Sequence, residues 1–215
     1  LFWLVDMVAY KKYQGKSHPL PHHENLWMVE KWLDERASEP FFLWFHTFLP
    51  HSPYAPPEKI KKQFGASGFP AWSHDKAYEV YDADRMLEPE TLAKLKGLYD
   101  GDVFLADRSM EYLTGWLKER ELLDDTLLII TADHGETFQG HTAYIGHAYE
   151  VYEDTIRVPL IVRFPGRVPA RGPIEETARL VDIFPTVLDA LGIAMPEGVE
   201  GRSLWPVLNG SREKM

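Results

Sequence analysis

Asp133 and His134 stand side by side, directly after the apolar run Leu127-Leu128-Ile129-Ile130-Thr131-Ala132, and Gly135 follows them. A carboxylate supplies a hard anionic oxygen and a neutral imidazole supplies a nitrogen. Together they suit a divalent cation: Ca2+ where oxygens dominate the shell, Mn2+ or Zn2+ otherwise. Two donors do not complete a coordination shell, so further ligands must come from elsewhere. His51, in Pro50-His51-Ser52-Pro53-Tyr54, and His147, after Gly146, each sit in a loop downstream of a strand. Imidazole titrates near neutrality, so either can contact an anionic oxygen or protonate a leaving alkoxide. Pro50 and Pro53 stiffen the loop that carries His51. His46 ends a strand and reads as a packing or supporting residue. His141 opens a mobile loop, and His18, His22, His23 and His74 read as surface residues. The chain has no Cys, which excludes thiolate chemistry and a disulfide framework within it.

These side chains need elements to hold them. The Ile- and Leu-rich run before Asp133 is bounded by turn residues and predicts a buried strand, with the Asp-His pair at its carboxyl end, where open α/β sheets gather ligands. Phe41–Phe45 predicts a second buried strand and Val158–Phe164 another. Leu26, Val29, Trp32 and Leu33 share one face of a helix predicted over Glu24–Ala37. Pro89-Glu90 opens a stripe of Leu92, Leu95, Tyr99, Val103, Ala106, Met110, Leu113 and Leu117. It predicts one long helix, or two with a break near Gly97 or Gly101. Leu180–Leu191 predicts a further helix that ends at Gly192. Ser17–His23 is a Pro-broken loop, Thr137–Glu150 a Gly- and His-bearing loop, and Lys59–Leu87 an irregular aromatic excursion with short helices. Alternating strands and helices imply an α/β fold with a mostly parallel central sheet and helices on both faces.

The length of 215 residues suits one sizeable α/β core. A net charge of -10 excludes a general nucleic-acid binder. It does not exclude an anionic substrate, because a metal and a few local cations reverse the field inside a pocket. The apolar opening Leu1–Val5 is ended by Asp6 and Lys11-Lys12, too soon for a membrane span, and it lacks the features of a signal peptide. Nothing in the sequence decides the compartment.

Taken in order, these segments resemble the sulfatases of the alkaline phosphatase superfamily. The resemblance is carried by Pro40–His46 with Pro50–Tyr54, by Tyr99-Asp100-Gly101-Asp102 with Asp107, and by Leu127–Glu136. It continues through Gly146-His147 with Tyr152-Glu153, Arg157–Val162, and Val181–Leu188 with Gly198–Leu204 after it. It covers roughly residues 24 to 208. It implies divalent-metal-dependent hydrolysis of a sulfate ester, of a small molecule or a glycan. Asp133 and His134 match metal ligands, with Ca2+ the implied metal over Mg2+ or Mn2+. His51 and His147 match the residues that bind the sulfate group, and His147 also the one that assists the leaving group.

The family's nucleophile is a formylglycine made from a Cys/Ser-x-Pro/Ala-x-Arg segment, and this sequence has none. Nor does it have the early Asp-Asp metal pair. The resemblance therefore implies that residues 1–215 are the C-terminal part of a sulfatase catalytic domain. It also implies that the N-terminal nucleophile region and the C-terminal subdomain lie outside it, and that the chain alone turns nothing over. Specificity would come from loops around the pocket, Lys59–Leu87 among them. Two other readings are open. One is a phosphonate or phosphate monoester hydrolase of the same superfamily. The other is a non-catalytic homologue that binds sulfated glycans.

Overall fold

The computed structural model describes Trp3–Leu4 and residues 26–211, so the Ser17–His23 loop lies outside the described residues. In chain order the elements begin with β1 (Trp3–Leu4), α1 (Leu26–Arg36), β2 (Leu43–Trp44), α2 (Glu58–Gln63), α3 (His74–Asp82) and α4 (Pro89–Glu119). They continue with β3 (Leu128–Thr131), β4 (Thr137–Phe138), β5 (Ile145–Gly146), α5 (Glu153–Ile156), β6 (Leu160–Arg163), α6 (Ile183–Ala190) and α7 (Trp205–Leu208). They form two units. One comprises Leu1–Leu123 and Glu136–Thr155, the other Asp124–Gly135 and Ile156–Met215.

The first unit is organised along α4, a single helix of 31 residues. Pro89 lies in its first turn with the acid Glu90 beside it, both favourable at a helix start. There is no break at Gly97. A side chain there would collide with the Phe64 carbonyl oxygen, so the glycine lets the segment after α2 lie directly against the helix. That close approach offsets the helix cost of glycine, about 1 kcal/mol. Toward its N-terminal end α4 buries Leu95 and Leu98 with Tyr54, Ala66, Trp72, Ala77, Val80 and Ile145. Toward its C-terminal end it buries Leu113, Trp116 and Leu117 against Leu26, Val29 and Leu33 of α1. The Tyr112 hydroxyl donates to Glu30 at 2.8 Å and Arg120 pairs with Asp34 at 2.9 Å, which fastens the same two helices.

Asp102 is also buried on α4, where it accepts the Ala55 N–H at 3.1 Å. Burial pushes its carboxyl up to about 7, against the opposing effects of that hydrogen bond and of Lys61. The segment Thr137–Glu150, read from sequence as a loop, contains the antiparallel pair β4–β5.

In the second unit β3 and β6 pair antiparallel, with Leu128 opposite Arg163 and Thr131 opposite Leu160. The described strands thus form separate pairs, two antiparallel and one (β1 with β2) parallel, rather than one continuous sheet. A parallel neighbour needs a long crossover, usually a helix. Between β3 and β6 the chain offers only a short hairpin and the single turn α5. All four residues of β3 are half-buried, not fully buried as their composition implies, because a two-stranded pair covers little of its own surface.

The predicted helix Leu180–Leu191 starts as a 3-10 turn over Leu180–Asp182 and continues as α6. Its pivot is Asp182, fully buried, which accepts the backbone N–H groups of Arg179 and Arg202 and pairs with the Arg179 guanidinium at 2.8 Å. Thr186 Oγ1 donates to the Asp182 carbonyl and accepts the Leu204 N–H, which ties α6 to the start of α7. Burial alone would raise the Asp182 carboxyl. The hydrogen bonds from Arg179 and Arg202 outweigh it and hold the group at about 2.

These two acids titrate in opposite senses. Asp102 binds its proton more tightly folded than unfolded, so its contribution falls as pH rises from about 4 to about 7. Asp102→Asn should therefore raise Tm relative to the parent at pH 8 and give no such gain at pH 4, read by thermal melts at both values. Asp182 contributes fully above about 4 and loses that contribution as pH falls toward about 2. Asp182→Asn should destabilise by roughly 2 kcal/mol at pH 7, measured by urea denaturation.

Candidate active site

In the first unit the β4–β5 hairpin and the turn after it place His147. Gly146 has φ +134°, and a side chain there would stand 2.8 Å from the Tyr144 hydroxyl oxygen. Ala148 has φ 93°, a left-handed conformation that a residue with a Cβ adopts only under local constraint. Tyr144 donates its hydroxyl to the His147 carbonyl. The backbone is thus held on both sides of the imidazole.

The ring is held by Glu136, the residue two beyond His134. Glu136 Oε1 accepts His147 Nδ1–H at 3.0 Å and Oε2 accepts the Tyr54 hydroxyl at 2.5 Å. The carboxylate side chain is 4% exposed and that of His147 20%. Burial first, and then the Glu136 charge, push the Tyr54 phenol far above its ordinary range, so it stays protonated and donates. The Glu136 backbone N–H bonds the Asp154 carbonyl at 2.9 Å, which fixes the carboxylate from the main-chain side. A buried carboxylate on Nδ1 assigns a proton there.

His51 sits in a loop pinned by reciprocal backbone bonds between Tyr54 and Trp72 at 2.8 and 3.1 Å. Its Nδ1 lies 2.6 Å from the Ser52 carbonyl, and Phe48 meets it edge-on at 5.5 Å. The two histidines singled out from sequence come together here, with ring centroids 5.3 Å apart.

A third joins them. His74, read from sequence as a surface residue, opens α3 at 5.1 Å from His51 and 6.1 Å from His147. Burial first, then the proximity of His51 and His147, hold His74 below the ordinary imidazole range, while Glu136 and Asp75 pull the other way. An anion placed among the three imidazoles would oppose the effect of His51 and His147 on His74.

Asp133 and His134 close β3 in the second unit. The His134 N–H donates to Asp133 Oδ1 at 3.1 Å, and His134 Nδ1 donates to the Gly135 carbonyl at 2.8 Å. That bond puts the lone pair on Nε2, the tautomer a metal takes. Nε2 lies 3.7 Å from Asp133 Oδ1, so oxygen and nitrogen donors adjoin. The donor types and the anchored ring fit a divalent cation as part of a shell. Among the described residues no group of three or more His, Asp or Glu side chains is arranged to hold one.

Sequence reasoning missed Glu136, Tyr54 and His74. Glu136 left a visible signal, as an acid continuing Asp133-His134-Gly135. Tyr54 and His74 left none, because their roles come from contacts over 82 and 73 positions of sequence separation.

Comparison with known proteins bears on this arrangement. The sulfatase family model matches residues 5–193. Arylsulfatase K of Xenopus laevis is 27% identical over 219 residues, covering 89% of this chain and 40% of its own length. The solved phosphonate monoester hydrolase of Agrobacterium radiobacter is 26% identical with a TM-score of 0.70, covering 85% of this chain and 40% of its own. A structure solved with its substrate D-glucosamine-2-N,6-O-disulfate is 21% identical with a TM-score of 0.65, covering 87% of this chain and 51% of its own, a likeness of fold. The chain spans about two fifths of the length of the curated relatives it matches. Among the described residues no helix is long and apolar enough to cross a membrane.

The Tyr54–Glu136 bond generates a test that needs no substrate. Tyr54→Phe keeps the ring and leaves a buried carboxylate oxygen without its donor. It should cost about 2 kcal/mol in urea denaturation. An unchanged midpoint would mean that Glu136 does not depend on Tyr54.

Proposed function

This chain belongs to the sulfatase family, and on that premise we propose that it forms the C-terminal part of the catalytic domain of a divalent-metal-dependent sulfuric ester hydrolase. The observation that carries the reading is the His51–His147 pair with His147 locked onto a buried Glu136. A sulfate ester presents anionic oxygens to be bound and a poor alkoxide leaving group to be protonated. His51 serves the first need, donating to an oxygen of the transferred group. His147 serves both. Glu136 on Nδ1 orients the ring, and Nε2 releases a proton to the ester oxygen as the S–O bond breaks. Tyr54 keeps the Glu136 carboxylate in place while the imidazole changes charge.

Asp133 and His134 would hold the metal, for which Ca2+ is the leading candidate over Mg2+ or Mn2+. When bound, it supplies fixed positive charge that stabilises the negative charge developing on the transferred group. The nucleophile lies outside these 215 residues in this reading, on a formylglycine segment of the Cys/Ser-x-Pro/Ala-x-Arg type. The chain alone then turns nothing over. In the same reading, the intact catalytic domain has a mostly parallel central sheet with helices on its faces.

A second reading, phosphonate monoester hydrolysis, is favoured by the likeness to the Agrobacterium radiobacter enzyme. The same residues would serve it, since the transferred group is again an anionic tetrahedral centre.

The intact protein should hydrolyse 4-nitrophenyl sulfate faster than the matched aryl phosphonate ester. His147→Gln should lower kcat by roughly a hundredfold or more. Chelation should abolish turnover, with Ca2+ restoring it better than Mg2+ or Mn2+. Faster phosphonate turnover would transfer the assignment to the second reading. Full activity in His147→Gln, or turnover indifferent to chelation, would remove both.

A further inference from the structure

Helix α3 carries more than His74. Positions 74, 78 and 81 recur at the spacing that places side chains on one helical face, and they are His74, Tyr78 and Tyr81. Ala77 and Val80, on the adjoining side, are buried in the core and fix which way the helix turns. The tyrosine face is not buried. Tyr78 is 42% exposed and Tyr81 40%, and Tyr149, which meets both, is 61% exposed.

The rings form an unbroken run that starts at the histidines. His74 lies 6.5 Å from Tyr78, Tyr78 lies 6.4 Å from Tyr149, and Tyr149 stacks on Tyr81 at 5.9 Å with 12° between planes. Behind them Tyr144 is buried and meets Tyr149 edge-on at 5.0 Å and Tyr81 at 5.4 Å, so the exposed rings rest on a rigid support. Tyr149 follows the constrained Ala148, and so the turn that sets His147 sets this ring as well.

Large aromatic surface left in water, continuous with a site, marks recognition rather than packing. The chemistry of the surface narrows the ligand. A plain aryl group is best served by a concave, dry, apolar pocket. These rings are open to solvent and edged with hydroxyls, which suits a ligand that is itself amphipathic, with an apolar C–H face and a polar rim. Pyranose rings have that character. The run also extends over three successive ring-to-ring steps, more than one six-membered ring covers.

We propose that α3 together with Tyr149 is the recognition platform for the sugar rings of a sulfated oligosaccharide. His74 is the member nearest the sulfate-binding imidazoles. The proposal deepens the sulfatase reading and rests on it for the place of the sulfate group.

Its test is binding, which does not require turnover. The intact protein is applied to an array of sulfated oligosaccharides and to their desulfated counterparts. Tyr78→Ala and Tyr149→Ala should weaken binding of the preferred member about tenfold, and Tyr78→Phe and Tyr149→Phe, which keep the rings, should restore most of it. Tm values of the four variants identify any loss due to unfolding, and in such a case the Phe variant of that position decides. In kinetic assays the Ala variants should raise KM for the oligosaccharide about tenfold more than KM for 4-nitrophenyl sulfate. Binding indifferent to all four substitutions, equal losses in the Ala and Phe variants, or equal KM changes for both esters would overturn the proposal. Failure of wild-type turnover with array binding intact would instead count against the hydrolase reading alone.

Discussion

One buried carboxylate organises the first unit's chemistry. Glu136 joins Tyr54 and His147, which come from separate stretches of chain, and its own backbone is tied to Asp154. Such a group is costly to bury unless its oxygens are matched by donors. Here each oxygen has one, and the two donors differ in character. The phenol is kept protonated by its surroundings, and the imidazole meets the carboxylate through Nδ1. Loop placement follows from it: the His51 loop is stitched to Trp72 through the backbone of the same Tyr54 whose hydroxyl holds Glu136.

The second unit uses the same principle for a structural end. Asp182 is wholly buried, yet backbone amides and the Arg179 guanidinium satisfy it so well that it stays ionised across the ordinary pH range. Asp102 shows the contrasting case, with one backbone amide and little else, and so a carboxyl that holds its proton to near neutrality. Asp182 has the more donors, and its carboxyl is held down where burial pushes that of Asp102 up.

Much of this was legible in the sequence wherever a local pattern carried it. The stripe from Leu92 to Leu117 determined α4, and the apolar run before Asp133 determined β3 and the Asp-His pair at its end. His51 and His147 stood out by loop context and resemblance, and they do meet. What escaped depends on contacts distant in sequence. His74 looked like solvent-facing surface because only the approach of two other loops gives it neighbours. The stripe left open one long helix or a break near Gly97 or Gly101, and the choice of the unbroken helix escaped because the glycine penalty is offset by a tertiary contact invisible from the helix alone. The antiparallel β3–β6 pairing escaped because strand composition does not encode direction. Strand-and-helix alternation suggested crossovers, and the intervening segment folds into a hairpin and a single turn.

The length of α4 has a consequence for how the first unit comes apart. Its two apolar clusters share no side chains, and if each had its own helices they could melt in turn. Both are instead bolted to opposite ends of one unbroken rod, with Leu95 and Leu98 in one and Leu113, Trp116 and Leu117 in the other. Losing either cluster strips packing from half of that rod and exposes backbone that the other half must then carry. The mid-helix amides between Tyr99 and Tyr112 should consequently exchange with solvent as one cooperative block, slowest of all, reporting the collapse of both clusters at once.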